Sequence, residues 1–288
     1  SNGIERWSSR LMPVLFVLII ALIIYVATLE GAMEGWSAYL VPDFSKVLDS
    51  SLLISAMGQA FFSLSLGVGC MLIYGSYVSK KENLVVLGAS VALVDVSIAI
   101  LAGMLIIPAM YVALNNGVTI FNEAGELIAG DQLIFNVIPA LFETMGGIGN
   151  FVALGFFILM TVAALTSSIS MLEVPVAYTI ENSKLGRFKA SWFIGCVIML
   201  ISTIIILNFE ILFGLVVSLT TQYSQPILGL IICIYAGWVW RRDVILTEIK
   251  QGNETVESSL FWNIWPNYVR FVCPLIIILM SYHTIFNG

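Results

Sequence analysis

The sequence predicts an all-α membrane protein, a polytopic bundle of spanning helices. Apolar residues make up 59% of the 288 residues and charged residues only 10%, whereas about a quarter of the residues are charged in soluble domains. The apolar residues form long runs, and a helix needs roughly 20 of them to cross a bilayer. This composition excludes an ordinary soluble domain, and no basic patch suggests a nucleic-acid partner.

Seven apolar runs are long enough to be spanning helices, and we predict a single transmembrane domain over 1–288. The approximate limits of the spans are 11–29, 51–79, 84–114, 149–180, 190–208, 211–240 and 262–286. Two longer connections, at 30–50 and 115–148, lie on the same side of the membrane in this arrangement.

The basic residues predict the orientation of the bundle, because cytoplasmic loops carry an excess of Lys and Arg. If the N-terminal end is cytoplasmic, eleven of the twelve Lys and Arg residues fall on the cytoplasmic side and only Lys46 falls outside. The opposite orientation places those eleven residues wrongly. We therefore expect a multi-pass protein of the plasma or inner membrane whose N-terminal end is cytoplasmic.

The second span contains a weak point for a helix in the stretch 58–77, GQAFFSLSLGVGCMLIYGSY. Its middle holds four helix-disfavouring residues within seven positions: Ser63, Ser65, Gly67 and Gly69. Gly lowers helix propensity, and Ser competes for backbone hydrogen bonds. A broken spanning helix would place bare carbonyls beside a substrate at the bilayer midplane. Alternatively, the small residues only let a neighbouring helix approach closely.

Two acidic side chains lie well inside apolar runs, where a carboxylate is unfavourable unless it is protonated or meets a cation. Asp95 lies deep in the third span, and we interpret it as a cation or proton site rather than a purely structural hydrogen-bond acceptor. Glu173 lies nearer the cytoplasmic end of its span, which favours a structural role.

Hydroxyl groups cluster in the fourth span, at Thr166, Ser167, Ser168 and Ser170. Hydroxyl and carbonyl oxygens suit hard cations such as sodium, although Ser and Thr also bond back to carbonyls of their own helix. The sequence has no nucleophile–base pair and no phosphate-loop or zinc motif, and its four cysteines are scattered singly through apolar runs. We therefore do not expect an enzyme.

Several of these stretches resemble one family. GQAFFSLSLGVG, at 58–69, and ALTSSISMLEVPVAY, at 164–178, are similar to the sixth and eighth helices of the neurotransmitter:sodium symporters, and the order of all the spans fits that family. The resemblance implies the inverted-repeat leucine-transporter fold of bacterial sodium-dependent amino acid transporters. It further implies a C-terminal portion with the family's fifth to eleventh helices, one of them broken, and without the N-terminal four.

The resemblance also implies a set of site residues, taken position by position. Substrate-binding positions are matched by Phe62, Ser65, Val68, Ser167 and Met171. Sodium-site positions are matched by Ser63, Asp95, Ala163, Thr166 and Ser167, with Ala163 contributing its carbonyl oxygen.

The chain departs from the family pattern at the positions for chloride and for the outer gate. Gln59 and Ser63 match chloride-site positions, but Ala99 stands where the family has a further Ser ligand, which argues against chloride coupling. The negative charge of Asp95, where many members have Asn, would lessen any need for chloride. Val217 stands where many members carry an acidic gate residue, which argues against gating by that salt bridge.

The sequence therefore predicts a sodium-coupled secondary symporter of an amino acid or a related small amine. The expected partners are sodium ions, the substrate, the lipid bilayer, the N-terminal helices of the same protein and a second copy in a homodimer. Two alternatives stay open. One is a proton-coupled amino acid carrier of the same fold, and the other is a membrane ligand-binding or scaffold protein that does not transport.

Overall fold

A computed structural model describes residues 2–46, 49–121 and 133–286, which form helices joined by loops. The α-helices are α1 (Asn2–Val26), α2 (Ala32–Leu40), α3 (Ser50–Ser63), α4 (Cys70–Tyr77), α5 (Leu84–Asn115), α6 (Ile138–Glu143), α7 (Gly149–Asn182), α8 (Arg187–Leu207), α9 (Phe209–Val217), α10 (Gln225–Ile234), α11 (Arg242–Lys250), α12 (Leu260–Asn267) and α13 (Cys273–Phe286). Short π-helices lie at Leu133–Val137, Ser218–Ser224, Tyr235–Val239 and Tyr268–Val272. Part of the predicted outer connection, 122–132, lies outside the described residues.

Within the described part of the chain, five helical stretches are long and apolar enough to cross a membrane. They are Leu84–Asn115, Gly146–Asn182, Arg187–Leu207, Ile211–Val239 and Leu260–His283. The chain is thus a multi-pass membrane protein. The two remaining predicted spans coincide with shorter apolar helices, Arg10–Val26 and Leu52–Ser63, and the second of these is the first half of an interrupted helix.

The predicted break in the second span is confirmed. Helix α3 ends at Ser63 and α4 begins at Cys70. Between them Ser65, Gly67 and Gly69 have φ angles of 52°, 77° and 88°. These values lie in the left-handed region, which an L-residue enters at a cost of about 1–2 kcal/mol and which glycine enters freely. The chain therefore cannot continue as a right-handed helix through this segment.

The chain divides into two compact units. The first comprises Ser1–Phe44 and Val94–Ser168, and the second comprises Ser45–Leu93 and Ile169–Gly288. The core of the first unit is formed by buried apolar side chains of α1, α5 and α6, including Val26, Met110 and Leu141. In the second unit, α3 packs against α10 and α13.

Helix α5 contains an internal proline, Pro108, and a neighbouring helix supplies the hydrogen bond that this proline cannot make. Pro108 has no N–H to donate to the carbonyl four residues earlier, which belongs to Met104. The indole N–H of Trp36, on α2, donates to that carbonyl over 3.0 Å. Gly35 permits the close approach, because a Cβ at that position would lie 2.5 Å from the Cα of Pro108.

Candidate functional site

The predicted site residues fall into two sets, one in each unit. The first unit contains Asp95, Ala163, Thr166 and Ser167, and the second contains Gln59, Phe62, Ser63, Ser65, Val68 and Met171. Most of the second set lies at or beside the break between α3 and α4, whereas three residues of the first set lie on α7.

The break leaves backbone carbonyls without helical partners. Among the described residues, no backbone N–H donates to the carbonyls of Leu64, Leu66, Gly67 or Val68. A spanning helix satisfies these groups internally, so bare carbonyls are tolerated at membrane depth only against protein or a polar cavity. Ser65 adds backbone strain, since it is the one described non-glycine residue with a positive φ. Strain of this kind is concentrated at ligand-binding segments.

Gly67 fixes the position of the break against a second irregular helix. A Cβ on Gly67 would lie 2.1 Å from the carbonyl oxygen of Gln225. Gln225 is 9% exposed and begins α10, directly after the π-helix Ser218–Ser224. The alternative prediction, that small residues permit close packing, therefore also holds at this position. Sequence reasoning missed Gln225, although the adjacent Pro226 marks an irregular point in the helix.

A cleft of about 390 Å³ opens beside α3 in the second unit. It is lined by Ile54, Ser55, Gly58, Gln59, Phe62, Val217, Thr221 and Met280. Its volume lies within the usual range for small-molecule pockets, about 300–1,000 Å³. The cleft brings a predicted substrate residue, Phe62, together with the predicted chloride-position residue Gln59 and with Val217. Phe62 is 55% exposed, so its ring is available to a ligand.

The hydroxyl cluster on α7 places two of the predicted sodium ligands side by side. The hydroxyl of Thr166 donates to the carbonyl of Ala163 over 2.8 Å. Ser168, which is not a predicted ligand, bonds in the same way to the carbonyl of Ala164 over 2.9 Å. Both contacts are the back-bonding that hydroxyl residues make in spanning helices. The Ala163 and Thr166 oxygens are nevertheless close enough to share one cation.

Glu173 forms an ion pair that joins α7 to two other elements of the second unit. Its carboxylate accepts hydrogen bonds from Arg187 at 2.7 and 2.8 Å. The hydroxyl of Tyr77, at the end of α4, donates to the same carboxylate over 2.9 Å. The Glu173 side chain is 17% exposed, and these donors stabilise its charge. The contacts agree with the structural role predicted for Glu173, but the sequence did not indicate its partners.

One family model matches nearly the whole chain. The model of the sodium:neurotransmitter symporter family matches residues 2–287. The chain belongs to this family. The predicted resemblance is thus confirmed over almost the whole length of the chain.

Relatives of this chain are found in bacteria and animals. The chain is 33% identical to the uncharacterized sodium-dependent transporter YhdH of Bacillus subtilis, covering 97% of this chain and 61% of that protein. It is 34% identical to an uncharacterized sodium-dependent transporter of Haemophilus influenzae, covering 99% of this chain and 61% of that protein. It is 26% identical to the sodium-dependent serotonin transporter of Drosophila melanogaster, covering 98% of this chain and 45% of that protein. The chain therefore spans less than two thirds of these proteins.

A solved structure supports the fold of this chain. The crystal structure of MhsT in complex with L-phenylalanine matches 99% of the chain and 64% of its own length, with a TM-score of 0.84 and 35% identity. The all-α leucine-transporter fold predicted from the sequence is confirmed by this match.

Proposed function

We propose that the chain is part of a sodium-coupled secondary symporter for an amino acid or a related small amine. Family membership supports transport, and the bacterial relatives carry the name sodium-dependent transporter. The similar MhsT structure contains L-phenylalanine, which supports an amino acid as the substrate class. The protein would work in the plasma or inner membrane with the N-terminal end of this chain in the cytoplasm.

The observation that carries this proposal is the break at 64–69. Its left-handed residues and bare carbonyls give an uncharged backbone surface that can bind polar groups at membrane depth. In the proposed site, Phe62, Ser65 and Val68 line the substrate from the broken helix. Ser167 and Met171 line it from α7, where their spacing of four residues puts them on one helix face.

Sodium binding is proposed at two sets of oxygen donors. One set combines the Ala163 carbonyl with the hydroxyls of Thr166 and Ser167, and the other combines Ser63 with Asp95. A sodium ion would replace the Thr166 hydroxyl proton as the partner of the Ala163 carbonyl. Because Asp95 supplies a negative charge, we propose that transport does not require chloride. The inward sodium gradient then drives alternating access and substrate uptake.

Uptake by the reconstituted full-length protein tests this proposal. Labelled amino acids are offered to vesicles with an inward sodium gradient, or with potassium in place of sodium. Uptake should require sodium and should persist when gluconate replaces chloride. Asp95→Ala and Ser167→Ala should each raise the sodium concentration for half-maximal uptake by at least about tenfold, since each removes an interaction worth roughly 1.5–3 kcal/mol.

Ser168→Ala is the matched control for the sodium site. It removes a hydroxyl from the same helix turn at a position that is not among the proposed ligands, so sodium dependence should stay within about twofold of the unmodified protein. Uptake that ignores sodium would overturn the proposed function. Sodium-dependent uptake that survives the combined Asp95→Ala and Ser167→Ala replacement would overturn the site assignment alone.

A further inference from the structure

Tryptophans mark one end of the last two spans. Of the seven tryptophans in the chain, four flank a single connection: Trp238, Trp240, Trp262 and Trp265. They stand at the end of the span Ile211–Val239 and at the start of the span Leu260–His283. Tryptophan is enriched at the membrane–water interface, where its apolar ring meets lipid and its N–H meets polar groups. This end of the two helices therefore lies at the level of the lipid head groups.

Arg270 is held in place at this interface by two π-helices. It belongs to the π-helix Tyr268–Val272, and Gly237 of the π-helix Tyr235–Val239 packs directly against it. A Cβ on Gly237 would lie 2.8 Å from the Cα of Arg270. Pro274 cannot donate to the carbonyl of Arg270, and the indole N–H of Trp238 donates to it instead over 3.1 Å. The backbone that carries this arginine is therefore fixed by packing and by a hydrogen bond.

The charged groups of two arginines at this end stack on aromatic rings. The guanidinium of Arg270 lies 4.3 Å from the ring centroid of Trp238, and that of Arg242 lies 5.3 Å from the ring centroid of Trp262. Stacking occupies the face of a guanidinium and leaves its five N–H donors directed outward in the plane. Among the described residues, neither guanidinium forms a salt bridge with a carboxylate. Both guanidinium groups are thus held in a fixed orientation, and their N–H donors are available to an anionic ligand.

Both arginines line one small cavity. Its volume is about 70 Å³, and its lining includes Arg242, Arg270, Trp262, Trp265 and Asn267. The volume is several times the roughly 10–15 Å³ that one water molecule needs. Two guanidinium groups, an amide and indole rings form a cationic, hydrogen-bond-donating cavity, and a phosphate group has the matching charge and acceptor oxygens.

We propose that the Arg242–Arg270 cavity binds the phosphate of an anionic phospholipid head group. The tryptophans place the cavity at head-group depth, which favours a lipid over free phosphate as the source. The topology predicted from the sequence agrees, because it assigns these arginines to the same side of the membrane as nine other of the twelve basic residues. Anionic lipids of the cytoplasmic leaflet attract such basic clusters. The proposal does not depend on which substrate the symporter moves.

Arg241 provides a control beside the cavity. It is adjacent in sequence to Arg242, but its guanidinium pairs with Asp243 at 2.8 Å and does not line the cavity. The hydrogen bond from Arg241 lowers the pKa of the Asp243 carboxyl. The carboxylate therefore remains charged at neutral pH and neutralises its partner. Arg241→Gln removes the same formal charge as Arg242→Gln without touching the proposed site.

Native mass spectrometry of the full-length protein tests the proposal. The protein is released from vesicles of equal parts phosphatidylcholine and phosphatidylglycerol, and the lipid molecules retained on each chain are identified. We expect retained phosphatidylglycerol in preference to phosphatidylcholine. Arg242→Gln and Arg270→Gln should each lower the retained fraction by about fivefold, the effect of one basic residue near an anionic surface. Arg241→Gln should change it less than twofold.

Three outcomes would overturn the lipid site. The first is an equal loss in Arg241→Gln and Arg242→Gln, which would indicate general surface charge. The second is equal retention of the two lipids. The third is displacement of phosphatidylglycerol by inorganic phosphate, which would identify free phosphate as the ligand. Both arginine side chains are exposed, but the backbone of Arg270 packs closely against Gly237. Arg242→Gln therefore carries the test even if Arg270→Gln disturbs folding.

Discussion

Pro108 interrupts the hydrogen bonding of α5 in the first unit, and the segment 64–69 interrupts the helix formed by α3 and α4 in the second. At Pro108 in α5, the freed carbonyl of Met104 accepts a hydrogen bond from the indole N–H of Trp36. At the break, the carbonyls of Leu66, Gly67 and Val68 receive no backbone N–H from the described residues. A neighbouring side chain donates a hydrogen bond to the freed carbonyl at the first interruption. At the second interruption, no backbone N–H of the described residues donates to these carbonyls.

This difference separates a structural irregularity from a candidate binding site. A freed carbonyl in lipid costs several kcal/mol unless it finds a partner. The tryptophan on α2 supplies that partner for the Met104 carbonyl of α5, so this carbonyl needs no ligand. The break instead presents several acceptors together beside the strained Ser65. Open acceptors at membrane depth are available to a polar ligand or a cation, which is the role we propose for this segment.

The largest effect is expected at Gly67, because this residue combines a left-handed φ with a backbone contact that leaves no room for a side chain. Gly67→Ala forces a Cβ to within 2.1 Å of the Gln225 carbonyl oxygen and places alanine at a φ of +77°. Left-handed strain and overpacking together should lower the free energy of unfolding by about 3–4 kcal/mol. Thermal unfolding of the purified full-length protein measures the loss.

Gly75→Ala is the control for that replacement within the same interrupted helix. Gly75 lies inside α4, and a Cβ there meets nothing within 4 Å. Alanine should therefore be neutral or should stabilise the helix by up to about 1 kcal/mol. If the two glycine replacements changed the unfolding temperature equally, the close contact between Gly67 and Gln225 would not be what fixes the break.

A smaller loss of stability is expected when the Met104 carbonyl of α5 loses its hydrogen bond from Trp36. Trp36→Phe keeps an aromatic ring on α2 but leaves the Met104 carbonyl without its donor. An unsatisfied partly buried acceptor should lower the free energy of unfolding by about 1–3 kcal/mol. Thermal unfolding again measures this change. Trp192→Phe, at an exposed tryptophan of α8, should leave the unfolding temperature unchanged.

A backbone N–H at position 108 should restore part of the stability that Trp36→Phe loses. In Pro108→Ala the backbone of α5 regains a donor for the Met104 carbonyl. The combined Trp36→Phe and Pro108→Ala protein should therefore lose less stability than the sum of the two single changes, a coupling that a double-mutant cycle reports. Simple additivity would show that the indole hydrogen bond does not compensate for the proline.

The break could be predicted from the sequence because its causes are local. Gly67 and Gly69 within an otherwise apolar span disfavour a helix whatever packs nearby. The spans were predictable for a related reason, since the bilayer selects long apolar runs. The hydroxyl cluster could also be predicted from the sequence, because its members are close together in the chain. The contact between Thr166 and Ala163 lies within one helix turn. The assignment of Ser63 and Asp95 as sodium ligands stays a prediction that rests on the family resemblance.

The partners across the fold could not be predicted, because they join residues far apart in the chain. Trp36 and Met104 are 68 positions apart, and Tyr77 and Glu173 are 96 positions apart. No local pattern specifies such a pair. The π-helix before Gln225 was equally hidden, since a π-helix differs from an α-helix by one residue in its hydrogen-bond spacing. Packing against Gly67, rather than composition, makes Gln225 part of the candidate site.

The smallest effect is expected at Ser65, where strain can be relieved without changing the contacts of the break. Ser65→Gly removes the left-handed penalty of about 1–2 kcal/mol, offset by the greater backbone freedom that glycine has in the unfolded chain. The net gain in the free energy of unfolding should be about 0.5–1 kcal/mol, whereas Ser65→Ala, which removes the same hydroxyl but keeps the strain, should give none. Thermal unfolding of both variants separates backbone strain from the hydroxyl group. A similar gain in both would mean that the hydroxyl, and not the φ of 52°, is the source of instability at the break.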